Sequence, residues 1–436
     1  MLKNIRLKVT AARPHLLRSG WASVEALVSP VLFFALSPWL LHSLGVTGFG
    51  QWMLALTIAG FAHVASLGAG VSTMYAVAGF QAKGEIEKAL DTIRAGFTLA
   101  LITSVVLMTC ALFISNPIAE TVFSKMGNSH IVANILLLGV SALILQEIDA
   151  VYAGALRGMQ RYDLVALLEL FGRPIWALSI VIATFSTNNV SVILITHNIY
   201  YLLRLIVRVR MVAFVFKKNC FGFPIGIQSV INIANFGKWV SLQSIGGILF
   251  STIDKFFVGW LLGSGELARY SICLQVVQFS HALQASALQV ITPWVASKRT
   301  KVNLSKNQYN FFFFSLWAGL GSLFFPLLMI SVSSLLLRIW MGHSFADDNI
   351  ELLRILLLGM AILAFTIPAH YVLLGLGRAK FSAILLVVAG LFSLTFSVAL
   401  SAFGLLGFAI GRMLYGVVAC FYFVPIWRTN SEISRS

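Results

Sequence analysis

Twelve long apolar stretches, joined by short connections whose basic residues fall almost wholly on alternate sides, decide what kind of fold this chain can adopt. They run at 19–42, 51–77, 95–115, 131–153, 164–184, 190–211, 239–262, 270–295, 310–336, 351–375, 381–403 and 407–427. Each is near the ~20 residues that cross ~30 Å of hydrocarbon as a helix, the form in which a segment satisfies its own backbone hydrogen bonds. The expected fold is an all-α polytopic membrane protein with 12 transmembrane helices.

Alternate connections hold 24 of the 31 Lys and Arg residues, among them Lys3, Lys83, Arg157, Arg204, Arg208, Lys217, Lys298, Arg378 and Arg435. The opposite set carries only Lys125, Arg269, Arg338 and Arg354, beside acidic residues such as Glu266 and Asp347. Short basic loops stay in the cytoplasm, so both termini are expected there. The net charge of +16 is spread over short loops rather than gathered on a soluble module, which argues against nucleic acid and for anionic lipid headgroups. Cys110, Cys220, Cys273 and Cys420 lack metal-ligand spacing, so neither disulfide nor metal is expected.

The longest connection, 212–238, contains Gly222, Pro224 and Gly226, then a segment at 227–235 whose apolar residues recur at helical spacing. It reads as a short helix in the membrane interface, within a linker (219–238) between an N-terminal lobe (1–218) and a C-terminal lobe (239–436). A shift of 218 residues places Trp21 on Trp239, Gly45 on Gly263, Trp52 on Tyr270 and His63 on His281. With one residue more, Tyr152, Gly158 and Arg161 fall on Tyr371, Gly377 and Lys380. Two six-helix lobes that both start inside are parallel repeats related by a pseudo-twofold along the membrane normal. Their expected product is a central cavity that opens to either side.

The stretch from Phe236 carries Phe236-Gly237, a mid-helix Asp254, Leu262-Gly263, the Glu266…Tyr270 pair and Pro293. In these positions it resembles the opening of the second lobe in Wzx-type polysaccharide flippases of the MOP superfamily. Residues 44–52 resemble the first outer loop, with Gly48 and Phe49 where an acidic residue is usual, and 337–349 with 373–380 resemble the later part of the second lobe. The resemblance implies movement of undecaprenyl-diphosphate-linked oligosaccharide, such as an O-antigen unit, across a bacterial inner membrane. It also implies polymerase and chain-length proteins of the same pathway as partners.

Such a substrate needs cations for its diphosphate and aromatic or amide groups for its sugars. Ionisable residues at membrane depth are the pointers, because each is costly there unless it serves a purpose. Arg18, Arg173, Lys255 and Arg412 are the candidate diphosphate contacts, with snorkelling as the alternative for Arg18 and Arg412 and a salt bridge as that for Arg173. Glu169 and Arg173 lie four apart on one helix face, as a plain salt bridge or as a pair that the diphosphate displaces. Glu25, Glu147, Asp149 and Asp254 are the carboxylates able to bind H⁺ or Na⁺ in one state and release it in another. Asp254 leads, on a small polar stripe with Gln243, Gly247 and Ser251; a structural hydrogen bond to another span is the competing reading. His63 and His281 are either proton carriers or neutral packing groups. No G-x-x-x-x-G-K-[ST] loop occurs, so no nucleotide cofactor is expected and an ion gradient is the natural energy source. Alternatives are another exporter of the same fold, a multidrug antiporter or lipid II flippase, and more remotely a membrane polymerase or ligase. The last would need a catalytic outer loop, whereas the longest here, 337–350, offers His343 and two aspartates.

Overall fold

The computed structural model describes residues 2–62, 68–299 and 304–427, and side chains outside 2–27, 29, 236–244, 250, 297–299 and 304–310. Every regular element among the described residues is helical, and nine segments are long and apolar enough to span a membrane. Several of the twelve expected stretches are not single continuous described α-helices. Residues 63–67 of the second lie outside the described residues, the seventh breaks at Thr252, the eighth turns at Gln289 and Val290, and the ninth breaks at Leu323 and again at Val332. The chain divides into two compact units, Met1–Ser244 and Ile245–Ser436.

In the first unit, α1 (Leu2–Ala59) is followed by α2 (Ala69–Ala82), α3 (Ile86–Thr121), α4 (Ser129–Gly158), α5 (Tyr162–Ser186) and α6 (Val190–Phe216). Helix α4 packs against α1, α2, α3 and α6. Its approach to α2 depends on missing side chains: a Cβ on Gly154 would lie 2.0 Å from the Gly70 carbonyl oxygen. In lipid, apolar side chains gain little by leaving the solvent, so such close backbone packing is what holds helices together. Leu90, Ile93, Phe97, Tyr152, Leu156, Val165 and Val212 fill the space between α3, α4, α5 and α6, while Phe113, Phe185 and Phe214 face outward, as lipid contact requires.

The second unit takes the latter part of α7 (Ile227–Ser251), then α8 (Ile253–Leu262), α9 (Ser264–Leu288), α10 (Ile291–Arg299), α11 (Leu304–Ser322), α12 (Phe324–Ser331), α13 (Ser333–Met341), α14 (His343–Gly375), α15 (Ala379–Ala399) and α16 (Gly404–Ala419). Helix α14 occupies the place of α4, packed on α9, α10, α11, α13 and α16.

The internal repeat is written into backbone geometry. Gly45 interrupts α1 at φ 67°, ψ 174°, and Gly263 links α8 to α9 at φ 95°, ψ −175°. Both occupy a region that only glycine enters freely, which is why the 218-residue shift superposes them. The later register differs from the sequence alignment. Arg161 N–H donates to Leu156 O and Arg378 N–H to Leu373 O, so the two turns match at a shift of 217. This sets Gly158 on Gly375. A Cβ on Gly158 would meet Met74 O and Val77, and one on Gly375 would meet Thr292 O and Val295. The alignment slipped because an exposed Gln160 at φ 58° stands where the second repeat has Gly377 at φ 77°.

The expected short helix at 227–235 is instead the opening of α7, continuous to Ser251. The preceding connector is fastened to the N-terminal part of α3: Asp91 accepts from Ile225 N–H at 2.6 Å and from the Ser229 hydroxyl, Arg94 donates to Asn219 O at 2.8 Å, and Lys218 pairs with Glu87.

Candidate functional site

Three helices of the first unit each turn one polar stripe toward the same space. On α4 the stripe is Gln146, Asp149, Ala153 and Arg157; on α5 it is Glu169 and Arg173; on α6 it is Tyr201, Arg204 and Arg208. Steps of three and four place each set on one helix face. Asn128 caps α4 by accepting from His130 N–H at 3.0 Å, and Asn189 caps α6 by accepting from Ser191 N–H at 2.9 Å, which anchors the N-terminal ends of two of them. Together with Ala59, Gly60 and Ala62 they line a cavity of about 260 Å³.

The polar atoms form one network. Arg204 reaches Asp149 Oδ2 at 2.8 Å and Glu169 Oε1 at 2.6 Å; Arg208 reaches the same two oxygens at 3.0 and 3.1 Å. Arg173 Nε donates to Glu169 Oε2 at 2.8 Å and its Nη1 to the Tyr201 hydroxyl at 3.0 Å. The Tyr201 ring lies under both Arg173 and Arg204, at 5.8 and 5.4 Å from its centroid. Trp176 Nε1 donates to His197 Nδ1 at 3.1 Å, and the His197 ring rests on Tyr201, backing the site.

Among the described residues, four guanidinium groups (Arg157, Arg173, Arg204, Arg208) therefore share one cavity wall with two carboxylates (Asp149, Glu169). Buried ions of this kind are stable only when paired, and the pairing here is divided among too few carboxylates. Of the ion-paired cations, Arg204 and Arg208 are almost wholly enclosed, whereas the Arg173 side chain is 19% exposed. The arrangement can accept an anion that bridges several guanidinium forks in a space of low dielectric.

The other expected site residues are distributed as follows. Glu147 is buried two residues from Asp149 but faces α3, where it accepts from the Thr103 hydroxyl. In the second unit Asp254, in the first turn of α8, accepts from the Tyr270 hydroxyl at 2.7 Å and pairs with Arg412 of α16. Arg412 is thus held on a carboxylate, and the sequence expectation of a diphosphate contact meets a ready-made ion pair there. Lys255 follows it in the chain, its backbone N–H donating to Asp254 Oδ1 at 2.9 Å. His281 lines a separate cavity with His370 and three tyrosines. His63 and the side chains of Arg18 and Glu25 lie outside the described residues.

Arg204 and Arg208 were counted in the sequence among the basic residues of a cytoplasmic connection. The structure corrects this: both sit inside α6, with side chains 8% and 1% exposed. Their signal was present as Arg at i and i+4 within an apolar stretch, in line with Tyr201.

The fold and site define a helical membrane protein with an arginine-walled pocket in its first unit. This is the fold of MOP-superfamily transporters. A multidrug resistance MATE family transporter of that superfamily, solved in an inward-facing conformation, superposes with a TM-score of 0.75 over 95% of this chain and 99% of that one, at 16% identity. The lipid II flippase MurJ, in an inward closed conformation, matches with a TM-score of 0.70 over 94% and 87%, at 15% identity. The family model described as "Polysaccharide biosynthesis protein" matches residues 19–299, and the chain belongs to that family. A Shigella flexneri protein named for O-antigen transport is 24% identical over 156 residues, and the match spans only 35% of that relative and 34% of this chain. The resemblance read from the second lobe is borne out, and every one of these relatives is a transport protein rather than an enzyme.

Proposed function

We propose that this protein is a flippase for undecaprenyl-diphosphate-linked oligosaccharide, moving an O-antigen or similar repeat unit from the cytoplasmic to the periplasmic leaflet of a bacterial inner membrane by alternating access. The observation that carries this reading is the guanidinium excess in the first-unit cavity, which matches a diphosphate in charge and in bidentate geometry. Arg173 is the first contact, being more accessible than Arg204 and Arg208 of the same network, and these two receive the anion as it enters. Asp149 and Glu169 compete with the diphosphate for the same donors and take them back when it leaves. Both termini are cytoplasmic in this reading, and anionic lipids and the polymerase and chain-length proteins of the pathway are its partners.

The energy source fits an ion gradient. A proton or Na⁺ arriving at Asp254 competes with Arg412 and Tyr270 for the same carboxylate, which ties cation binding to the link between α8, α9 and α16. A multidrug antiporter for organic cations is the weaker alternative, because the arginine-walled cavity repels its cargo.

The test is Arg173→Ala in cells. Surface polysaccharide is lost while the protein remains in the membrane at normal abundance, and Arg173→Lys restores part of it by keeping the charge without the fork. Normal polysaccharide in Arg173→Ala removes that residue from the mechanism.

A further inference from the structure

The second unit contains a cavity of about 150 Å³ of quite different chemistry. Its polar wall is His281, Thr366, His370, Tyr371, Tyr415 and Tyr422, and its apolar wall includes Leu363, Ile367 and Leu386. Among the described residues, no carboxylate, lysine or arginine lines it.

The rings are held by their edges. The Ser382 hydroxyl engages His370 Nδ1 at 2.8 Å, the Tyr371 hydroxyl donates to Ala285 O at 3.1 Å, and the Tyr422 hydroxyl donates to Ser382 O at 3.4 Å. His370 also packs edge-on against Tyr371 and Tyr422, with centroids 5.4 and 5.2 Å apart. These contacts fix ring orientation while leaving the second nitrogen of His370 and the remaining lone pairs of the phenols for a ligand. An anion or cation entering here would lose its hydration with no countercharge among the described lining residues, and an acyl chain would offer nothing to the second nitrogen of His370. A sugar ring satisfies both kinds of wall, presenting hydroxyls to the polar groups and its C–H faces to the aromatic planes.

We propose that this cavity is a binding site for an uncharged sugar residue of the transported oligosaccharide, separate from the arginine site that takes the diphosphate. It rests on the flippase reading and adds to it a division of labour: the first unit recognises charge and the second recognises carbohydrate.

Two variants test it. Ala285→Leu fills the cavity from its apolar wall, and His370→Phe keeps the ring but removes its nitrogens. Binding to purified protein is measured with two probes, the lipid-linked oligosaccharide extracted from cells deleted for this gene and sugarless undecaprenyl diphosphate. Both variants are expected to bind the oligosaccharide probe at least tenfold more weakly and the sugarless probe as the wild type does. Equal losses for both probes, or unchanged binding of the oligosaccharide probe, overturn the proposal. Should Ala285→Leu fail to accumulate, His370→Phe alone decides. If the wild-type protein binds neither probe, it is the flippase reading that has failed.

Discussion

Replacing Glu169 by Gln separates what the arginine network does for the fold from what it does for a ligand. Glu169 accepts from Arg173 at 2.8 Å and lies 2.6 and 3.1 Å from Arg204 and Arg208, so its loss leaves Asp149 as the one acid among the described residues lining the cavity. The Arg173 contact, being partly exposed, contributes little to the cost. The two enclosed contacts dominate, and removing one partner of a buried pair costs about 3–5 kcal/mol. The ligand-free variant is therefore expected to unfold at distinctly lower temperature than the wild type in the same detergent. Inorganic pyrophosphate supplies the missing negative charge, and its binding no longer has to displace a carboxylate. It should raise the melting temperature of Glu169→Gln more than that of the wild type, with an affinity gain on the order of tenfold for ~1.4 kcal/mol of relieved competition. Thermal unfolding across a pyrophosphate titration, with sulfate at matched ionic strength as control, reads both effects. A variant as stable as the wild type, or one on which pyrophosphate acts no more strongly than sulfate, refutes the competition between Glu169 and the anion.

Gly154→Ala places a methyl group against the Gly70 carbonyl and is expected to cost ~1–3 kcal/mol or more through overpacking, whereas Gly79→Ala meets nothing within 4 Å and should be neutral or slightly stabilising; melting curves of both check this. Asp254→Asn removes the charge that holds Arg412 at nearly constant volume, so reconstituted protein should still bind lipid-linked oligosaccharide yet lose its response to an imposed pH or Na⁺ gradient; an unchanged gradient response makes Asp254 a packing residue. A cysteine at exposed Asp348 should react with a membrane-impermeant thiol reagent applied from outside, and one at exposed Lys217 should not; the opposite pattern reverses the direction of transport.

The sequence revealed the membrane fold because hydropathy and loop charge are local properties that survive without tertiary context. It revealed the Glu169–Arg173 pair for the same reason, the two residues lying one turn apart on α5. Arg204 and Arg208 escaped notice because a basic residue near the end of an apolar stretch looks the same whether it snorkels to the headgroups or turns inward onto Asp149. The choice is made by the rotation of α6 against α4 and α5, which no local pattern records. Likewise Arg412 and Asp254 stand 158 residues apart, each legible as a membrane-depth ion but not as the partner of the other. The histidine and tyrosine cavity was hidden further still, since its lining comes from α7, α9, α14, α15, α16 and the short helical turn Cys420–Tyr422, and no local pattern joins His281 to His370 or to the tyrosines.

In the function proposed above, an anionic lipid-linked sugar is carried through the arginine-walled unit. Purified protein reconstituted into sealed vesicles, with fluorescent lectin added outside to report oligosaccharide reaching the outer leaflet, measures that directly. The account predicts lectin binding that grows with time, requires the protein, and falls to the protein-free rate in Arg204→Ala vesicles. Appearance of the oligosaccharide at equal rates with and without the protein, or undiminished flipping by Arg204→Ala, contradicts it.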